Sequence, residues 1–168
     1  MKTVESSATE STQSADATGN PPVIISSQKS ENPLEMDIKD SVGKHENLSK
    51  FKVLVVDDDS ITREIIGCML EPTNCIVKMA EDGFEAIIDY FEFQPDIVLM
   101  DINMPDVNGV SALKLIRNQG GVAPIIAVTA SVTKGEVRGY LAAGFNDIIA
   151  KPISRQVLIN KISIALTD

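Results

Sequence analysis

Residues 51–168 predict a doubly wound α/β fold: a five-stranded parallel sheet with helices on both faces. Two observations carry this expectation. Five short apolar runs are near-continuous in Val, Ile, Leu and Ala rather than alternating with polar residues, as in strands buried on both faces. Between them lie segments whose apolar residues recur at helical spacing, and strand–helix alternation of this kind builds parallel sheets.

The first run is Val53–Val56, followed by a helical pattern on Ile61, Ile65 and Met69. The second, Ile76–Ala80, leads to Asp82 and Glu85, an N-cap with its acid three residues on, and to Phe84, Ile87, Ile88 and Phe91. The acids Glu81, Asp82, Glu85 and Asp89 read as a solvated helix face. After Ile97–Met100 come Val110, Leu113, Leu115 and Ile116; after Ile125–Val128, Thr133 and Glu136 form a capping box on a helix that ends at Gly144. Ile148–Ala150 is the last strand, and Ser154 opens a helix carrying Val157, Leu158, Ile162 and Leu166.

Upstream of Phe51 the composition changes to Ser, Thr, Asn, Pro and charged residues with scattered apolar ones. Such a segment buries too little surface to offset its ordering entropy, so residues 1–50 are expected to be a disordered tail. Asn32, Pro33 and Glu35 nevertheless resemble a helix start, and Leu34, Ile38, Val42 and His45 follow at helical spacing. A short amphipathic helix over 33–48 could dock on a partner or on the domain; a transient helix in the tail is the plainer reading.

The chain of 168 residues has 43% hydrophobic residues and a formal net charge of −9. Acidic residues exceed basic ones in tail and domain alike, which argues against nucleic acid and anionic membrane as partners. No run of about 18 apolar residues and no signal region is present, so a cytoplasmic location is expected. Cys68 and Cys75 form neither a CxxC pair nor a zinc-like spacing with His45, and read as reduced thiols.

In an open parallel sheet, functional groups collect beyond the carboxyl ends of the strands. The first strand here ends in Asp57, Asp58 and Asp59, the third in Asp101, the fourth in Thr129 and the fifth in Lys151-Pro152. If the first and third strands are neighbours, three acids converge. Two carboxylates about 4 Å apart repel by about 4 kcal/mol at an effective dielectric near 20, so a proton or a cation must compensate. Hard oxygen ligands of this kind suit Mg2+, with Asp57 and Asp58 holding the ion and the Asn103 carbonyl as a further ligand. Lys151 supplies a fixed positive charge and Thr129 a hydroxyl, and Asp101, expected to sit centrally between the acidic pair and the Thr–Lys side, is the natural candidate for the nucleophile that forms an acyl phosphate. Asp59 reads as a turn or helix cap.

The segments VLVVDDD, DIVLMDINMPDVNG, PIIAVTA and GFNDIIAKPI, in this order, resemble the receiver domain of response regulators in two-component and phosphorelay signalling. The resemblance covers residues 51–168. It implies the flavodoxin-like strand order 2-1-3-4-5, phosphorylation of Asp101, and Mg2+ held by Asp58, Asp101 and the Asn103 carbonyl, with Asp57 acting largely through water. It also implies phosphoryl contacts from Thr129 and Lys151, a loop shaped by Pro105 and Gly109, an open site beside Ala130, and a cis peptide at Lys151-Pro152. The domain would catalyse its own phosphorylation and dephosphorylation rather than turn over a released substrate. A sensor histidine kinase or histidine phosphotransfer protein would be the donor. The family's aromatic switch residue falls at Ile148, so an aromatic toggle partnering Thr129 is missing. The segment AGFNDIIAKPIS resembles receivers attached to hybrid sensor kinases more than those of transcription factors. No output domain follows, so a stand-alone receiver is expected to act on a downstream protein, through the face formed by its fourth and fifth helices, or to relay the group.

Two other readings compete. A haloacid-dehalogenase-type phosphatase uses a DxDxT pattern at a strand end, but Ile61 stands where its Thr belongs, and it would be modified on Asp57. A binding module that keeps the fold without phosphorylation leaves the charge crowding unused.

Overall fold

The computed structural model describes Leu48 and residues 50–167. Five strands, β1 (Lys52–Val56), β2 (Ile76–Ala80), β3 (Ile97–Asp101), β4 (Ile125–Thr129) and β5 (Asp147–Ala150), alternate with α1 (Ser60–Leu70), α2 (Gly83–Phe93), α3 (Gly109–Asn118), α4 (Lys134–Ala143) and α5 (Arg155–Thr167). The sheet is parallel throughout, in the order β2-β1-β3-β4-β5. Both the expected fold class and the strand order are found.

The caps are local. Asp82 accepts from the Glu85 amide, Asn108 from the Ser111 amide, and Thr133 and Glu136 form the expected capping box. Each such cap stabilises its helix by about 1 kcal/mol. Gly144 closes α4 with a φ of 112°, a conformation that favours glycine.

The sheet separates two apolar layers. On one side Leu54, Val56, Val98, Met100 and Ala127 pack against Ala86 and Tyr90 of α2 and Leu113 and Ile116 of α3. On the other, Val53, Val55, Leu99, Val128 and Ile149 meet Ile66 and Leu70 of α1 and Leu158 and Ile162 of α5. Leu48 joins this second layer, 4% exposed, and its amide donates to the Thr73 carbonyl at 3.1 Å. The folded core thus includes one residue that composition assigns to the tail. The other expectations for the tail, including the helix over 33–48, fall on residues outside those described. Among the described residues no helix is long and apolar enough to cross a membrane.

Several buried faces differ from the expected ones. In α1, Ile66 and Leu70 are buried while Ile61 and Ile65 are 65% and 45% exposed. The helix carries two adjacent apolar stripes, and its anchoring to the β1 end selects the second. In α2 the sheet is met by Gly83, Ala86, Asp89 and Tyr90, and Phe84 and Ile88 face solvent. Asp89 is therefore not on a solvated face: it is buried and pairs with Lys78 at 3.1 Å. β2 lies at a sheet edge, so Ile76 and Met79 are exposed, although the run reads as buried on both faces.

Candidate functional site

Side chains alternate along a strand, so residues of equal parity on aligned neighbours point the same way. Asp57, Asp101 and Lys151 each continue the alternation of Val53 and Val55, of Ile97 and Leu99, and of Ile149, all from one apolar layer. The register therefore brings these three polar groups to one point on the rim.

Lys151 is the centre of that point. Its Nζ donates to Asp57 Oδ2 at 2.7 Å and lies 2.8 Å from Asp101 Oδ1. The two carboxylates are 1% and 4% exposed and the lysine 26%. Burial holds the Asp57 carboxyl above the ordinary carboxylate value, outweighing the lowering effect of Lys151 and of the Asp59 amide. Burial alone would push the Lys151 ammonium down, but Asp101 and Asp57 together hold it above the ordinary lysine value. Of the three acids expected to converge, Asp57 and Asp101 meet at this ammonium, which offsets their crowding, while Asp58 is exposed.

The remaining lone pairs are assigned by the loops. Asp57 Oδ1 accepts from the Asp59 amide at 3.0 Å, and Asp101 Oδ2 from the Asn103 amide at 2.8 Å. Asp58 is exposed, with no hydrogen bond or ion pair to its carboxylate among the described residues. Gly109 packs so closely under the nucleophile loop that an added Cβ would run into the Asp101 carbonyl oxygen. Lys151-Pro152 is cis, and Ala130 is exposed beside Thr129.

No group of three His, Cys, Asp or Glu side chains among the described residues is gathered tightly enough to cage a metal. A hydrated Mg2+ needs no such cage, since one or two carboxylates with a carbonyl and water suffice. The free Asp58 carboxylate, the exposed Asn103 and the rim carboxylate of Asp101 fit that donor set. Asp57 and Asp101 each have one oxygen on Lys151 and the other on a loop amide, so Asp58 alone of the three acids has a carboxylate without a partner among the described residues.

Thr129 is fully buried at the end of β4, one residue past the register partner of Asp101, and its Oγ1 accepts from the Ser131 amide at 3.2 Å. Ser131 in turn donates its hydroxyl to Glu136 Oε2 at 2.6 Å, so the loop leaving Thr129 is tied to the α4 capping box. These hydroxyls hold the Glu136 carboxyl below its ordinary value. Ile148 is half-buried opposite Ala127, packed against the α2–α4 layer. Asp59 caps α1, accepting from the Ile61 amide and the Thr62 hydroxyl, the role expected for it.

Sequence reading missed Arg63. It is one turn into α1, and its guanidinium binds the Asp57 and Asp58 carbonyls. The signal was available as an arginine six residues after the first acid, but its reach depends on helix rotation.

The family profile of the response regulator receiver domain matches residues 53–163. The transcription factor SKN7 of Saccharomyces cerevisiae is 37% identical over 108 residues, 64% of this chain and 17% of that protein. The receiver domain of the Pseudomonas aeruginosa sensor histidine kinase PA1611, with a magnesium ion coordinated in its cleft, superposes with a TM-score of 0.66 at 31% identity, covering 71% of this chain and all of that one. The receiver domain of Saccharomyces cerevisiae Ssk1, in its complex with the histidine phosphotransfer protein Ypd1, gives a TM-score of 0.64 at 31% identity, covering 68% and 88%. The chain spans about a fifth or less of the length of the curated relatives it matches.

Proposed function

The chain belongs to the response regulator receiver family of two-component and phosphorelay signalling, and we propose that its chemistry is phosphorylation of Asp101 by a phosphohistidine donor. A carboxylate oxygen of Asp101 attacks phosphorus, the P–N bond breaks, and the donor imidazole leaves with a proton. The observation that carries this reading is the Lys151 ammonium held between Asp57 and Asp101 at the rim of the sheet. Among the described residues Oδ1 of Asp101 is engaged by that ammonium alone, so Lys151 can follow the charge onto a phosphoryl oxygen as the acyl phosphate forms.

Asp58, Asp101 and the Asn103 carbonyl, with Asp57 behind, would hold Mg2+, which would supply charge neutralisation for the transferred phosphoryl group. Thr129 offers its hydroxyl to the phosphoryl group by leaving the Ser131 amide. That movement pulls on the Ser131–Glu136 link, which gives α4 a route to respond without an aromatic at Ile148. No residue of α4 is fully buried, which suits an element that shifts at low cost. The face of α4 and α5 then binds a downstream protein according to phosphorylation state, or the group passes on.

The donor is a sensor histidine kinase or a histidine phosphotransfer protein, in a cytoplasmic setting. Exposed Ile61 and Ile65, just past the acidic loop on α1, offer it an apolar landing. Acetyl phosphate with Mg2+ tests the chemistry without a protein donor. A hydroxylamine-sensitive label absent from Asp101→Asn is expected; a label that survives this substitution rejects the assignment.

A further inference from the structure

Three consecutive carbonyls at the end of β1 are bound by one residue of α1. The Arg63 amide donates to the Asp59 carbonyl at 3.1 Å, and its Nη1 donates to the Asp57 carbonyl at 2.6 Å and the Asp58 carbonyl at 3.2 Å. The side chain is 16% exposed, and its Nη2 lies 3.8 Å from Glu81 Oε2 at the end of β2. The guanidinium therefore grips the backbone of the acidic loop and makes no contact with the Asp58 carboxylate.

We infer that Arg63 is a positioning residue for the divalent ion: by fixing the Asp57 and Asp58 carbonyls on the α1 side, it holds the Asp58 carboxylate poised for metal. The inference rests on the proposed Mg2+ site. Asp58 is exposed and its side chain has no hydrogen bond of its own among the described residues, so only its backbone can fix its direction. The Asp59 cap and the Asp57 Oδ1 contact orient the residues on either side. Both carbonyl contacts come from one nitrogen, Nη1, at the end of a side chain longer than that of lysine.

The sign of the effect separates positioning from charge. If Arg63 acted only as a nearby cation, its removal would lower the local positive potential and tighten Mg2+ binding. If it positions the loop, removal weakens binding, by about 10-fold on the scale of groups that orient metal ligands. Mg2+ titration of the full chain, followed by amide chemical shifts, compares wild type, Arg63→Ala, Arg63→Lys and Asp58→Ala. Weaker binding in Arg63→Ala, with at most partial recovery in Arg63→Lys, is expected. Unchanged or tighter binding in Arg63→Ala overturns the inference. If that variant does not fold, Arg63→Gln decides in its place, since it also removes the charge and the two carbonyl contacts: weaker Mg2+ binding supports positioning and unchanged or tighter binding rejects it. If Asp58→Ala binds Mg2+ like wild type, the metal site itself is wrong; if only the Arg63 variants do, the site stands and Arg63 is not part of its support.

Discussion

Replacing Lys151 with Ala removes the one cation that the two buried rim acids, Asp57 and Asp101, share among the described residues. Its Nζ stands 2.7 and 2.8 Å from their carboxylates, which are 1% and 4% exposed. Breaking a buried pair from one side costs about 3–5 kcal/mol, because a charge is left without compensation. Lys151 is itself 26% exposed, so water enters and reduces this cost to about 2–4 kcal/mol. Its pKa is held above the ordinary lysine value, so its stabilisation is complete at pH 7 and fades only as pH rises through the folded value. Urea unfolding at pH 7 without divalent ions should show the midpoint falling by on the order of 1–2 M. Mg2+ should restore much of that stability, since a ligand at 100 times its Kd adds about 2.7 kcal/mol and the variant offers it two uncompensated acids. A destabilisation below about 0.5 kcal/mol, or equal Mg2+ stabilisation of both proteins, would refute the view that Lys151 neutralises this rim.

Asp101→Asn should keep the Asn103 amide contact and leave Lys151 with one acid, so its unfolding midpoint without metal should equal or exceed that of wild type; an unfolded variant contradicts this. Ile61→Asp should slow transfer from a phosphohistidine protein at least several-fold while leaving labelling by acetyl phosphate unchanged; equal slowing with both donors would mean that Ile61 serves the site rather than docking. Glu136 is held below its ordinary value, so its clamp on Ser131 and Thr133 should persist above pH 4.5 and be lost as pH falls through the lowered folded value. Amide exchange at Thr133 that titrates at or above pH 4.5 would contradict that clamp.

The strands were legible because parallel strands are written as short apolar runs, and their ends named the site. Asp57, Asp101, Thr129 and Lys151 were all found as polar groups terminating such runs. Helix rotation was not legible in the same way. Ile61, Ile65 and Ile66 are near neighbours on one helix, and only tertiary anchoring decides that Ile66 faces the sheet. The same limit hid Arg63, whose reach to the loop follows from that rotation. Lys78 and Asp89 pair across β2 and α2, so an acid that reads as solvated is buried. The edge position of β2 depends on strand order, which the residues of β2 do not encode.

The central question is which carboxylate becomes phosphorylated. After incubation with acetyl phosphate and Mg2+, borohydride converts an aspartyl phosphate to homoserine, and fragment masses locate the altered residue. Homoserine at position 101, and at no other aspartate, is the predicted result. Homoserine at position 57 would point to the phosphatase chemistry considered for the acidic run and contradict the assignment of Asp101.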